Sequence, residues 1–170
     1  GPMRNATVTT IAPTGSLHLI ACTSSGIEPI FSCAGERRID DRVFRFIHPG
    51  LKRLLKDLPD GRDVMREMMK SGSVQHLDLP DDVRELYRNA GEIDPTHHVH
   101  MQATFQKYVD NAVSKTVNLP EDATPEDISR IFSLARERGC KGITVYRYHS
   151  RSDQVLSRGC DTCRVDMVNA

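Results

Sequence analysis

The sequence predicts an α/β fold with a β-hairpin and a helical middle section. Three observations carry this. Residues 6–11 read Ala-Thr-Val-Thr-Thr-Ile, a short β-branched run that suits a buried strand and ends in a Pro-Thr-Gly-Ser turn. Residues 115–119, 125–138 and 141–147 alternate strand, helix and strand, with the length and order of a right-handed parallel crossover. Between these parts lie a hairpin pattern at 29–48 and a series of amphipathic helices.

The elements follow in order. The turn Ala12-Pro13-Thr14-Gly15-Ser16 opens a short helix through Ala21, and Thr23-Ser24-Ser25-Gly26 is a second turn-rich patch. In the hairpin, residues 29–33 lead into a polar turn around Ile39-Asp40-Asp41, and residues 43–47 return. Leu51, Leu54, Leu55 and Leu58 recur at helical spacing after His48-Pro49-Gly50. Val64, Met65, Met68 and Met69 mark a second helix over 61–70, with the methionines as core filler. Pro80-Asp81-Asp82 starts a third, expected to reach Ala90. Asp94-Pro95 caps a long one expected to run to about Val113, and Thr124-Pro125-Glu126-Asp127 opens the last, which stops at Gly139. Residues 150–170 are polar and without period, so they read as a mobile extension, and Gly1-Pro2 ahead of Met3 read as a protease-cleavage scar outside the fold.

Composition narrows the function classes. The chain has 170 residues, the size of one domain or part of one. Lys and Arg balance Asp and Glu at 23 each, which argues against a nucleic-acid binder with a basic face. No apolar run approaches the ~20 residues of a membrane helix, and no signal peptide opens the chain, so no membrane partner is expected. The five cysteines, an odd count without an export signal, read as cytoplasmic thiols and not as a disulfide scaffold.

Two constellations carry chemistry. Pro13, Thr14, Gly15, Ser16 and Leu17 lie between a strand and a helix start, where backbone N–H groups, two hydroxyls and a glycine permit close approach of a phosphate. The Gly-Lys-Ser/Thr ending of a Walker loop is missing, and an ordinary turn with an N-cap is the other reading. Cys160-Asp161-Thr162-Cys163 is the second. Its thiols are able to close a disulfide, supply half a zinc site or sit as incidental surface thiols. A terminal pair on a polar tail suits thiol–disulfide exchange best.

No metal site is expected elsewhere. His97, His98 and His100 fan out around a helix start and read as surface and capping residues. Cys22, Cys33 and Cys140 read as inert core thiols. Glu28, in an apolar stretch before Pro29, reads as structurally paired, with a catalytic role as the alternative.

Several stretches together resemble the C-terminal part of the adenosylcobalamin-dependent (class II) ribonucleotide reductases. They are Arg4-Asn5-Ala6-Thr7-Val8-Thr9-Thr10-Ile11-Ala12-Pro13-Thr14-Gly15-Ser16 and Ser24-Ser25-Gly26-Ile27-Glu28-Pro29-Ile30-Phe31. Further along come Met101-Gln102-Ala103-Thr104-Phe105-Gln106-Lys107-Tyr108 and Asp110-Asn111-Ala112-Val113-Ser114-Lys115-Thr116-Val117-Asn118-Leu119-Pro120. Gly139-Cys140-Lys141-Gly142-Ile143-Thr144-Val145-Tyr146-Arg147 is the last, so the resemblance spans residues 3–163.

The resemblance implies a partial, C-terminal segment of the family's ten-stranded α/β barrel over residues 3–149, followed by a flexible redox tail over 150–170. It implies that Pro13, Thr14, Gly15, Ser16 and Leu17 hold the substrate's diphosphate. Cys160 and Cys163 would re-reduce the disulfide formed at each turnover, with a thioredoxin-like reductant behind them. The implied reaction is ribonucleotide to deoxyribonucleotide in the supply of DNA precursors, with adenosylcobalamin in the complete enzyme. The family's radical-cysteine motif, two further active-site thiols, effector region and most of the cobalamin site have no counterpart here. The resemblance therefore implies a larger N-terminal fragment or subunit as partner and an inactive isolated chain. Tyr148-His149-Ser150 also departs from the family's commoner Asp-Gly-Ser. The alternative is a non-enzymatic nucleotide-binding or regulatory module that partners a reductase or a thioredoxin.

Overall fold

The pattern of β-branched runs, caps and apolar periods resolves into eleven elements in a computed structural model that describes residues 1, 4–39, 42–150 and 156–160. In chain order these are α1 (Leu17–Ala21), β1 (Ala34–Ile39), β2 (Arg42–Ile47), α2 (Pro49–Lys56), α3 (Gly61–Ser71) and α4 (Asp81–Leu86). Then follow α5 (Pro95–Gln106), β3 (Thr116–Leu119), α6 (Pro125–Glu137), β4 (Thr144–Arg147) and β5 (Leu156–Arg158). They fall into two units, one of Gly1–Pro29 with Ile93–Ser150, the other of Ile30–Glu92 with the described residues 156–160.

The first unit contains the parallel crossover that the sequence predicts. β3 and β4 pair in parallel from Thr116↔Thr144 to Leu119↔Arg147, and α6 connects them. Thr124 and Asp127 form a reciprocal capping box at the start of α6, so the helix begins where Thr-Pro-Glu-Asp predicts. Gly139 follows its end at φ +75°, the left-handed conformation glycine adopts without a Cβ penalty. Val99 of α5, Val117 and Leu119 of β3, and Ile131 and Ala135 of α6 form the core.

The second unit is built on the predicted hairpin. β1 and β2 pair antiparallel from Ala34↔Ile47 to Ile39↔Arg42, so pairing begins after the Pro29 to Cys33 approach. Leu51 and Leu55 of α2 and Val64, Met65, Met68 and Met69 of α3 bury their periodic faces beneath β1 and β2 residues Ala34 and Ile47. β5 adds to β1 from Gly35↔Arg158 to Arg37↔Leu156, giving the antiparallel order β2-β1-β5.

The expected partial barrel segment stands: among the described residues the parallel sheet has two strands and no barrel closes. Several other expectations need correction. Residues 6–11 are not a strand; only Ile11 bridges, in parallel, to Val113. The reason is a distant side chain: the amides of Val8 and Thr9 donate to the Asp110 carboxylate in place of a backbone ladder. α5 ends at Gln106, not near Val113. The Gln106 amide donates to the carbonyls of Val109 and Asn111 and accepts from Val113 N–H, which turns the chain and substitutes for further helical bonds. α4 ends at Leu86 because the Tyr87 carbonyl accepts from Cys33 and the Ala90 amide donates to Ile30. Within residues 150–170 the structure describes 150 and 156–160: residues 156–158 are β5, and Gly159 at φ +67° packs so close to the Lys70 carbonyl that no Cβ would fit. Among the described residues no helix is long and apolar enough to cross a membrane.

Candidate functional site

The chain reaches the 13–17 loop through a clamp. Asp110 Oδ2 accepts from Val8 N (3.1 Å), Thr9 N (3.2 Å) and Thr9 Oγ1 (3.0 Å), and Asp110 N–H donates to Thr9 Oγ1 (2.9 Å). The Val8 amide, then the Thr9 hydroxyl, hold the Asp110 carboxyl below its ordinary range. Asn111 N–H donates to the Thr9 carbonyl and Ser114 N–H to the Ile11 carbonyl, so residues 9–11 are registered along 111–114.

The loop itself turns sharply. Thr14 sits at φ +51°, a left-handed conformation uncommon for a β-branched residue. Its carbonyl accepts from His18 N–H (3.1 Å) and from His18 Nδ1 (2.9 Å), which places the ring proton on Nδ1. Ser16 occupies the N-cap position of α1 without a side-chain capping bond, and Gly15 is exposed with open space where a Cβ would stand. α1 has five residues, too short for a developed macrodipole. An anion here would therefore meet loop N–H groups and the Thr14 and Ser16 hydroxyls more than a helix field.

Beneath the loop lies a second turn. Ser25 Oγ donates to the Pro13 carbonyl, and Glu28 N–H donates to the Ser25 carbonyl at 2.9 Å. Gly26, at φ +57°, lies so near that a Cβ would stand 2.7 Å from the Ala12 carbonyl oxygen.

Glu28 is paired, as its sequence context predicts. Its Oε2 accepts from Lys115 Nζ at 2.9 Å and its Oε1 from Thr116 N–H at 2.6 Å. Lys115 Nζ also lies 3.0 Å from His98 Nδ1, and the side chains of Lys115 and Glu28 are 2% and 14% exposed. An ammonium only donates, so Nδ1 of His98 accepts. Sequence reasoning missed His98, which it grouped with surface histidines. His98, Gln102 and Gln106 recur at i, i+4 and i+8 on the buried face of α5, a polar stripe that apolar periodicity does not detect. Gln102 donates to the carbonyls of Val113 and Gly142, tying α5 to the chain ahead of β3 and β4. His97 and His100 instead meet ring edge to face.

The cysteines divide by environment. Burial first, then the nearby Glu92 charge, pushes the Cys33 thiol up to about 12, and burial also raises Cys140. Cys22 is exposed, a correction to its reading as a core thiol, because α1 presents its last turn to solvent. Cys160 belongs to the second unit, whereas the 13–17 loop belongs to the first. It is disulfide-bonded and 9% exposed, its N–H donates to the Met69 carbonyl (2.7 Å), and its Sγ lies 3.1 Å from Glu36 Oε1. Cys163 lies outside the described residues. Among the described residues, no three His, Cys, Asp or Glu side chains gather to hold a metal ion.

Known proteins share this architecture. The family described as "Ribonucleotide reductase, barrel domain" matches residues 1–146. A vitamin B12-dependent ribonucleoside-diphosphate reductase of Thermoplasma acidophilum is 43% identical over 159 residues, covering 92% of this chain and 21% of the relative. The Mycobacterium tuberculosis (H37Rv) protein of the same description is 47% identical over 159 residues, covering 92% and 22%. The alpha subunit of the Actinobacillus ureae class Id ribonucleotide reductase superposes with a TM-score of 0.67 at 27% identity, covering 86% of this chain and 27% of that one. The chain thus spans about a fifth of the length of the curated relatives it matches. With residues 1–146 matched and the parallel crossover in place, the chain belongs to the ribonucleotide reductase barrel-domain family.

Proposed function

We propose that this chain is the C-terminal part of the catalytic barrel of an adenosylcobalamin-dependent ribonucleotide reductase, completed by a larger N-terminal portion that carries the radical cysteine. The observation that carries the reading is its family membership, joined to 43% and 47% identity with relatives described as vitamin B12-dependent. In the completed enzyme a ribonucleotide and two thiols give a deoxyribonucleotide, water and a disulfide. The contribution of this chain is to hold the substrate and to return the reducing equivalents.

Pro13, Thr14, Gly15, Ser16 and Leu17 hold the substrate's diphosphate through loop N–H groups and hydroxyls. The open space before Gly15 and the absence of a side-chain cap at Ser16 support this assignment. Cys160 and Cys163, as a dithiol, attack the disulfide formed in turnover. One sulfur makes a mixed disulfide, the second displaces it, and the pair leaves oxidised for a thioredoxin-like dithiol to reduce. That cycle requires Gly159 and Cys160 to lift from the Ala34 and Met69 carbonyls, to which their amides donate.

Adenosylcobalamin supplies the radical that starts ribose chemistry in such an enzyme. Among the described histidines, two are already engaged within the fold: Nδ1 of buried His98 faces the Lys115 ammonium, and half-buried His48 stands edge-on to Tyr87. The cofactor is assigned to the N-terminal portion. Val8, Leu17 and Ile20 expose apolar side chains around the 13–17 loop, a surface that this portion would cover.

The test is complementation. The chain is mixed with a polypeptide covering the remainder of the Thermoplasma acidophilum relative, adenosylcobalamin and a dithiol, and deoxyribonucleotide formation is measured. The chain alone is expected to be inactive and the assembled pair active, with Ser16→Asp raising KM by placing like charge against the diphosphate. A verified assembly without turnover would refute the reading and favour a non-enzymatic nucleotide-binding module.

A further inference from the structure

We infer that Glu28 and Lys115 are positioning residues that hold the 13–17 loop in its ligand-ready shape, an inference resting on the proposal that this loop takes a diphosphate. The Lys115 ammonium directs its donors to Glu28 Oε2 (2.9 Å), His98 Nδ1 (3.0 Å) and the Thr116 carbonyl (3.4 Å). Three donors meet three acceptors, so the head group is fixed in direction. Glu28 is fixed in turn, because its other oxygen takes Thr116 N–H at 2.6 Å.

From Glu28 the constraint runs outward through backbone. Its N–H holds the Ser25 carbonyl, Ser25 Oγ holds the Pro13 carbonyl, and Gly26 lies against the Ala12 carbonyl. The two carbonyls immediately ahead of Thr14 are therefore set by a turn bolted to the start of β3. A left-handed threonine persists only where its surroundings over-determine it, and this turn supplies that condition. Burying a lysine and a glutamate adds little net stability compared with apolar residues of similar volume. The network makes more sense as a device for location: the pair is separated by 87 positions in sequence and places one turn on one strand.

The experiment compares wild type, Glu28→Gln and Lys115→Met by amide hydrogen exchange in the full chain, and by titration with inorganic pyrophosphate followed at the Gly15 and Ser16 amide resonances. Glu28→Gln keeps the shape but turns an NH₂ group toward the ammonium or the Thr116 amide, so it serves if Lys115→Met fails to fold. Exchange at His18 and Glu28, whose amides donate to Thr14 and Ser25 carbonyls, should rise about tenfold, the scale of one lost charged hydrogen bond. Val117 and Ile131 should stay unchanged, and pyrophosphate should bind more weakly. Exchange that rises equally at Val117 and Ile131 would assign the pair a general stabilising role and overturn the inference, as would no local rise. If pyrophosphate leaves wild-type Gly15 and Ser16 unmoved, the diphosphate reading of the loop falls, and the exchange pattern alone decides whether the pair positions it.

Discussion

Replacing Gly26 by Ala isolates the contact between the second turn and the candidate loop. Gly26 has φ +57° and Gly139 has φ +75°, so alanine at either position carries the left-handed cost of about 1–2 kcal/mol. Their surroundings differ. A Cβ on Gly139 meets nothing within 4 Å, whereas one on Gly26 would stand 2.7 Å from the Ala12 carbonyl oxygen and 3.9 Å from Ile11 Cγ2. Backbone must move to admit it, an overpacking cost of about 1–3 kcal/mol. Gly139→Ala should therefore destabilise the first unit by about 1–2 kcal/mol and Gly26→Ala by about 2–5 kcal/mol. Urea unfolding followed by circular dichroism gives the totals, and exchange at the buried Val117 amide reports the same unit independently. Gly26→Ala should also shift the Thr14 and His18 resonances, while Gly139→Ala leaves them in place. Equal destabilisation by the two substitutions would refute the close packing of Gly26 on Ala12, and with it the path from Glu28 to the loop.

Two further outcomes follow from the thiols and the clamp. Iodoacetamide at neutral pH should alkylate exposed Cys22 in the folded chain and reach Cys33 only in denaturant, read by mass spectrometry of the peptides; rapid native labelling of Cys33 would contradict its raised pKa of about 12. Because that folded value lies above the unfolded 9.0, the Cys33 contribution is intact below about pH 9 and is lost as pH rises towards 12. Asp110 titrates with the opposite sign: its lowered folded pKa means the clamp holds above the ordinary aspartate range and is lost as pH falls through the folded value. An acid titration of the Val8 and Thr9 amide resonances should show a transition below the ordinary aspartate range, and Asp110→Asn should abolish it.

Local chemistry made much of the fold legible. Thr124-Pro125-Glu126-Asp127 announces α6 because the capping box and proline act within one turn. The hairpin and the crossover are legible through their periods and their spacing. Residues 6–11 show the limit of propensity. Their β-branched run is a strand by composition, but the Asp110 side chain takes two of its amides, and that competition is set about a hundred residues away. β5 is three residues long and shows no period, so only the close approach that Gly35 and Gly159 permit reveals it. The candidate loop was visible because proline, glycine and serine cluster between a β-branched run and a helix start. Its supports were not, since Glu28, His98 and Lys115 become neighbours only through the packing of α5 on β3.

Under the proposed diphosphate role, the brevity of α1 sets what kind of anion site this loop would be. A long helix would bring a fixed partial charge to its first turn and tolerate some movement of the residues around it. Five residues bring little, and no Lys or Arg stands among residues 13–17. Affinity for a diphosphate would then depend on several N–H groups and hydroxyls converging on the same oxygens, and convergence fails with small displacements of the backbone. The Asp110 clamp at Val8 and Thr9, the Ile11 bridge to Val113 and the Ser25 bond to Pro13 each fix one point of that backbone. A weak field and a tightly held frame are therefore parts of one arrangement, in which, on the proposed role, geometry would supply what charge does not.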